Sequence, residues 1–67
     1  MLGEELRKAR LAAGLTQEQL AFKAGISRNY VSLLELDRKS PTVQVLQRIC
    51  KAVGVRASSL IAQLERE

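Results

Sequence analysis

Apolar residues recur along this chain at spacings of three and four, the period of a helix, and nowhere in the strict alternation of a half-buried strand. Leu2, Leu6, Ala9 and Ala13 form the first such stripe, closed by Gly14. Thr16 opens a second segment as an N-cap, with Gln19 three residues on to complete a capping box. Leu20, Ala21 and Ala24 face inward there, and Gly25 ends the segment. Ser27 caps a third helix whose inward residues are Val31 and Leu34. A polar loop follows, Asp37-Arg38-Lys39-Ser40-Pro41, in which Pro41 disfavours helix at the residue before it. Thr42 caps a fourth helix with Val43, Leu46, Ile49, Cys50 and Val53 on one face, ended by Gly54. A fifth carries Leu60, Ile61 and Leu64 into a charged tail, Glu65-Arg66-Glu67. The pattern predicts an all-α fold: a compact five-helix bundle with connections of about two to six residues, one domain over residues 1–67.

Composition narrows what such a bundle can do. A chain of 67 residues is near the lower limit of independent folding, so no deep substrate cleft is expected and help from a partner chain is. Phe22 and Tyr30 are the only aromatics, which leaves an aliphatic core. A net charge of +4 favours a polyanionic partner such as nucleic acid. The lone Cys50 excludes an internal disulfide, suits a reducing compartment, and reads as a small buried hydrophobe. The sequence has no His, no second Cys and no glycine-rich phosphate loop, so no metal, cofactor, small-molecule ligand or enzymatic activity is expected. Glu4, Glu5 and Glu18 lie on polar helix faces, the ordinary place for solvated carboxylates. No apolar run approaches the roughly 20 residues of a membrane span, and the N-terminus lacks a signal-peptide core. A soluble, cytoplasmic protein is the expectation.

The stretch from Gln17 to Leu36 says more. Two short helices meet at Gly25-Ile26-Ser27, a three-residue turn of the helix-turn-helix kind. That geometry needs a small residue where the second helix crosses the first, supplied by Ala21. It needs positive φ at the turn, supplied by Gly25. It also needs apolar residues to seat the pair, supplied by Leu20, Ala24, Ile26, Val31 and Leu34.

The chain resembles the Cro/repressor-type, or XRE, helix-turn-helix family. The resemblance is carried by Leu6-Arg7-Lys8-Ala9-Arg10, Gly14-Leu15-Thr16-Gln17-Glu18-Gln19-Leu20-Ala21, Ala24-Gly25-Ile26-Ser27-Arg28, Leu34-Glu35, Ser40-Pro41-Thr42 and Ala52-Val53-Gly54-Val55. It implies a lambda-repressor-like domain with the motif in helices 2 and 3. It further implies a sequence-specific DNA-binding transcriptional regulator reading double-stranded operator DNA as a homodimer. The helix starting at Ser27 is then the recognition helix, and with Val31 and Leu34 inward, residues 28, 29, 32 and 33 face outward. Arg28 suits a bidentate contact to guanine and Asn29 one to adenine, while Ser32 is short and adaptable. Leu33 either meets a thymine methyl or covers its own core. Around them, Gln17, Ser27, Tyr30, Arg38, Lys39 and Ser40 are expected to contact the DNA backbone, Gln17 at a helix N-terminus where an anion is favoured. Lys23, Arg48 and Lys51 read as general surface charges.

Arg10 falls on the inward stripe of the first helix, and Glu35 follows Leu34; the resemblance implies that they form an ion pair. Two departures from the family pattern stand out. Leu36 and Asp37 replace a polar residue and Gly at the end of the recognition helix, and Arg56 replaces a Ser or Thr cap, which Ser58 is then expected to supply. Ile61 and Leu64 either face a second subunit or close the monomer core beside Leu60. The competing reading is a protein-interaction module, or an antitoxin, of the same fold.

Overall fold

The computed structural model describes the backbone of residues 1–65 and the side chains of residues 1–62. Five α-helices follow one another with no strand among the described residues: α1 (Leu2–Ala12), α2 (Gln17–Ala24), α3 (Arg28–Glu35), α4 (Val43–Val53) and α5 (Ala57–Glu65). α2 packs on α3 and α4, and α1 packs across α3, α4 and α5. The longest connection, residues 36–42, is one residue longer than the sequence pattern suggests.

Helix starts follow the local chemistry. At α2 the box is complete: Gln19 N donates to Thr16 Oγ1 at 3.0 Å, and Thr16 N donates to Gln19 Oε1 at 2.9 Å. Ser27 Oγ accepts from Tyr30 N at 3.0 Å, and Thr42 Oγ1 accepts from Val45 N at 3.1 Å. Each such cap is worth about 1 kcal/mol. α2 stops at Gly25, whose φ of 69° lets the chain turn at once into α3.

Leu6, Leu20, Val31, Leu34 and Ile49 are almost sealed from solvent, joined by Ala21, Ala24, Cys50 and Leu60. Each large aliphatic among them contributes roughly 1.5–3 kcal/mol of burial, which is how so small a chain holds together with no buried aromatic ring. Ala21 and Ala24 are small where α2 lies against its neighbours.

Three expectations are corrected. Ala13 is exposed, because α1 ends at Ala12 and Leu15, past the Gly14 turn, packs against the core in its place. Val43 is 72% exposed. Six residues at about 100° each set it some 120° from Ile49, whereas Val45 falls near the inward meridian and is half-buried. Ser58 does not cap α5: the helix opens at Ala57, and the Arg56 carbonyl accepts from Ser59 N at 3.0 Å and Leu60 N at 3.2 Å. On α5, Leu60 is buried and Ile61 is 45% exposed, while the side chain of Leu64 lies outside the described residues.

Candidate nucleic-acid interface

α3 turns Val31 and Leu34 into the core and Arg28 and Asn29 into solvent. Ser32 and Leu33 are half-buried on the flanks of the same face, so Leu33 has one side on the protein and one side open. Leu36, one of the two departures from the family pattern, caps the end of α3 at 62% exposure. Two shallow depressions border the helix. Arg28 shares the first with Thr16, Gln17, Gln19 and Lys23 from α2 and its cap. Ser27, Asn29, Tyr30 and Leu33 share the second with Lys39. Arg38, Lys39 and Ser40 are exposed in the loop after α3, whereas Tyr30 is half-buried against the core.

Behind this face lies a buried polar network that ties three helices. Arg10 Nε donates to Glu35 Oε2 at 2.7 Å and Nη2 to Glu35 Oε1 at 3.1 Å, a fork-on-fork pair. Arg10 Nη1 donates to the Leu15 carbonyl at 2.8 Å, and Gln17 Nε2 donates to Glu35 Oε1 at 3.1 Å. The Arg10 and Glu35 side chains are only 9% and 4% exposed. Gln17 is thus held inward through one amide hydrogen, an attachment the sequence alone does not suggest.

A second join was also invisible in the sequence. Asp37 adopts φ 56°, the left-handed region where Gly is usual. Its Oδ1 accepts from Gly3 N at 2.9 Å, giving α1 the N-terminal cap that Met1 does not provide. Gly3 itself sits flush on α3: a Cβ there would stand 2.5 Å from the Glu35 carbonyl oxygen and 2.6 Å from that of Leu34. The available signal was a lone Gly inside a helical pattern, which often marks close packing. Phe22 is 88% exposed between the depression that holds Arg28 and another lined by Lys23, Arg48 and Lys51. Burial pushes the Cys50 thiol above its ordinary range, which keeps it protonated and unreactive.

Comparison with known proteins gives consistent matches. The family described as Helix-turn-helix matches residues 6–60. The immunity repressor protein of Bacillus phage phi105 is 34% identical over 62 residues, covering 92% of this chain but 43% of that repressor's length. Among solved structures, the restriction-modification controller protein C.AhdI from Aeromonas hydrophila superimposes with a TM-score of 0.85 at 32% identity, over 88% of this chain and 89% of that one. SinR, a master regulator for biofilm formation solved in complex with DNA, does so with a TM-score of 0.85 at 27% identity, over 91% and 98%.

Proposed function

This chain belongs to the Cro/repressor-type helix-turn-helix family of DNA-binding transcriptional regulators, which are not enzymes, and we propose that it reads a near-palindromic operator as a homodimer through α3. The observation that carries the reading is the division of α3 itself. Its inward residues are locked in the core while Arg28 and Asn29, the two side chains best suited to bidentate base contacts, stand free at its N-terminal end.

Ser32 and Leu33 extend base contact along the same face, Leu33 offering its open side to a thymine methyl. Phosphates flank the groove at Gln17 on one side and at Ser27, Tyr30, Arg38, Lys39 and Ser40 on the other. Ser27 Oγ already accepts from Tyr30 N and keeps its own hydrogen to donate. A net charge of +4 favours this seating on a polyanion. No helix among the described residues is long and apolar enough to cross a membrane, and we place the protein with its DNA in the cytoplasm.

Selection from random duplexes, run on the wild type and on Arg28→Ala, tests this reading. The wild type is expected to enrich a two-fold site with half-sites about 34 Å apart, one turn of DNA. Arg28→Ala should lose preference at one position in each half-site, with a loss of about 1–3 kcal/mol per contact. Enrichment of no motif by the wild type would leave the fold as a protein-interaction module.

A further inference from the structure

We propose that Glu35 is a positioning residue for DNA binding, fixing the Gln17 side chain so that its phosphate contact keeps register with the recognition helix. The inference rests on the reading above, in which Gln17 faces the DNA backbone. A free glutamine at the first turn of α2 samples many rotamers and would lose that freedom on meeting a phosphate. Here the freedom is already lost: Gln17 Nε2 donates one hydrogen to Glu35 Oε1 at 3.1 Å, which leaves its second hydrogen for another acceptor. The carboxylate doing this is the last residue of α3, so the contact from α2 is tied to the helix that carries Arg28 and Asn29.

A carboxylate so near a phosphate seat would ordinarily repel it. Arg10 answers that charge from α1 with two hydrogen bonds, at 2.7 and 3.1 Å, and the pair is sealed from solvent. Glu35 therefore acts toward the surface mainly as a hydrogen-bond acceptor with its charge neutralised from behind. Arg10, Glu35 and Gln17 form one relay across α1, α3 and α2, with Gln17 at its outer end and Arg10 at the floor of the same depression beside Arg28.

The test is a double-mutant cycle of Gln17→Ala and Glu35→Ala, read by operator affinity and by melting temperature, with affinity measured where all variants are folded. Gln17→Ala should weaken binding roughly tenfold, the worth of a hydrogen bond to a charged group. Glu35→Ala should weaken it similarly when Gln17 is present but by less than about twofold once Gln17 is gone, while its drop in melting temperature, set mainly by the stranded Arg10, stays large in both backgrounds. Equal affinity losses in the two backgrounds would reduce Glu35 to a structural role and overturn the proposal. Unchanged affinity in Gln17→Ala would instead remove the phosphate contact itself, and a wild type that selects no operator would remove DNA reading altogether. Should Glu35→Ala not fold, the Gln17 side-chain amide in the NMR spectrum decides. In free wild-type protein the hydrogen bonded to Glu35 should lie downfield of its place in a free glutamine amide and the Nε2 group should be ordered in 15N relaxation, both effects shrinking in Glu35→Gln. An amide with free-glutamine shifts and mobility in the wild type overturns the tether.

Discussion

At Gly3 two carbonyl oxygens of another helix stand where a side chain would begin. Both belong to backbone, and a methyl group at 2.5–2.6 Å can be accommodated only if α1 and α3 part. Gly3→Ala gains up to about 1 kcal/mol in helix propensity, yet overpacking of this kind costs about 1–3 kcal/mol. The expected outcome is a lower midpoint in thermal or urea unfolding, and a rise would show that the two helices have slack. Asp37 is the other half of the same join. Its left-handed conformation costs roughly 1–2 kcal/mol in a residue with a Cβ, and its bond to Gly3 N returns about 1 kcal/mol. Asp37→Gly removes both effects and should leave stability nearly unchanged. Asp37→Ala keeps the strain, loses the bond, and should be the less stable of the two by about 1 kcal/mol or more. Equal melting temperatures for the two variants would mean that the left-handed backbone at this position carries no strain. Neither residue could be assigned its role from sequence, because each owes it to a segment some thirty positions away.

At the scale of helices, what could be read in advance was what neighbours in sequence decide. The Thr16, Ser27 and Thr42 caps, the Gly25 turn and the inward faces of α2 and α3 all depend on residues within one or two turns. The errors lie where a helix end is set by something else. Val43 looked inward because it was apolar, though its angle points it away from Ile49; α5 opens without the hydroxyl cap expected of it. The site was legible to the same degree: which side chains leave α3 follows from the position of Val31 and Leu34, whereas the inward tether of Gln17 required the fold. Two ion pairs separate what holds the helices together from what decorates them. Lys8 and Glu4, with side chains 64% and 61% exposed, form an i,i+4 pair within α1 worth under about 1 kcal/mol. Arg10 and Glu35 join α1 to α3 out of solvent, and Glu35→Ala strands the guanidinium there, at about 3–5 kcal/mol. In chemical denaturation Glu35→Ala should therefore shift the midpoint far more than Lys8→Ala. Comparable shifts would mean that water reaches Arg10 freely once its partner is gone.

For the molecule as a whole, the question is how so short a recognition surface finds one operator. In the proposed reading α3 has four positions toward the bases, too few base pairs to single out a site among the many a genome presents. A two-fold dimer doubles the reading and requires an interface that sets two copies of α3 about one DNA turn apart. α5 is the natural place for it, packed on α1 and α4. Leu60 is buried, so the monomer core takes its apolar anchor from that position and leaves its neighbour Ile61 at 45% exposure, with Val55 partly exposed just before the helix. With rather less than half of its surface still open, such a side chain gains roughly 1 kcal/mol when a partner covers it, and in a symmetric dimer it does so twice. Leu64 is the sequence's other candidate for this contact. Ile61→Asp places a charge where a second subunit would sit without touching the buried core. It should give a folded monomer whose melting temperature changes little at low protein concentration and whose operator affinity falls sharply. Sedimentation equilibrium of wild type and variant, free and with operator duplex, checks this directly. A wild-type protein that stays monomeric in both conditions would rule out the dimer and return Ile61 to the ordinary apolar surface of a small domain.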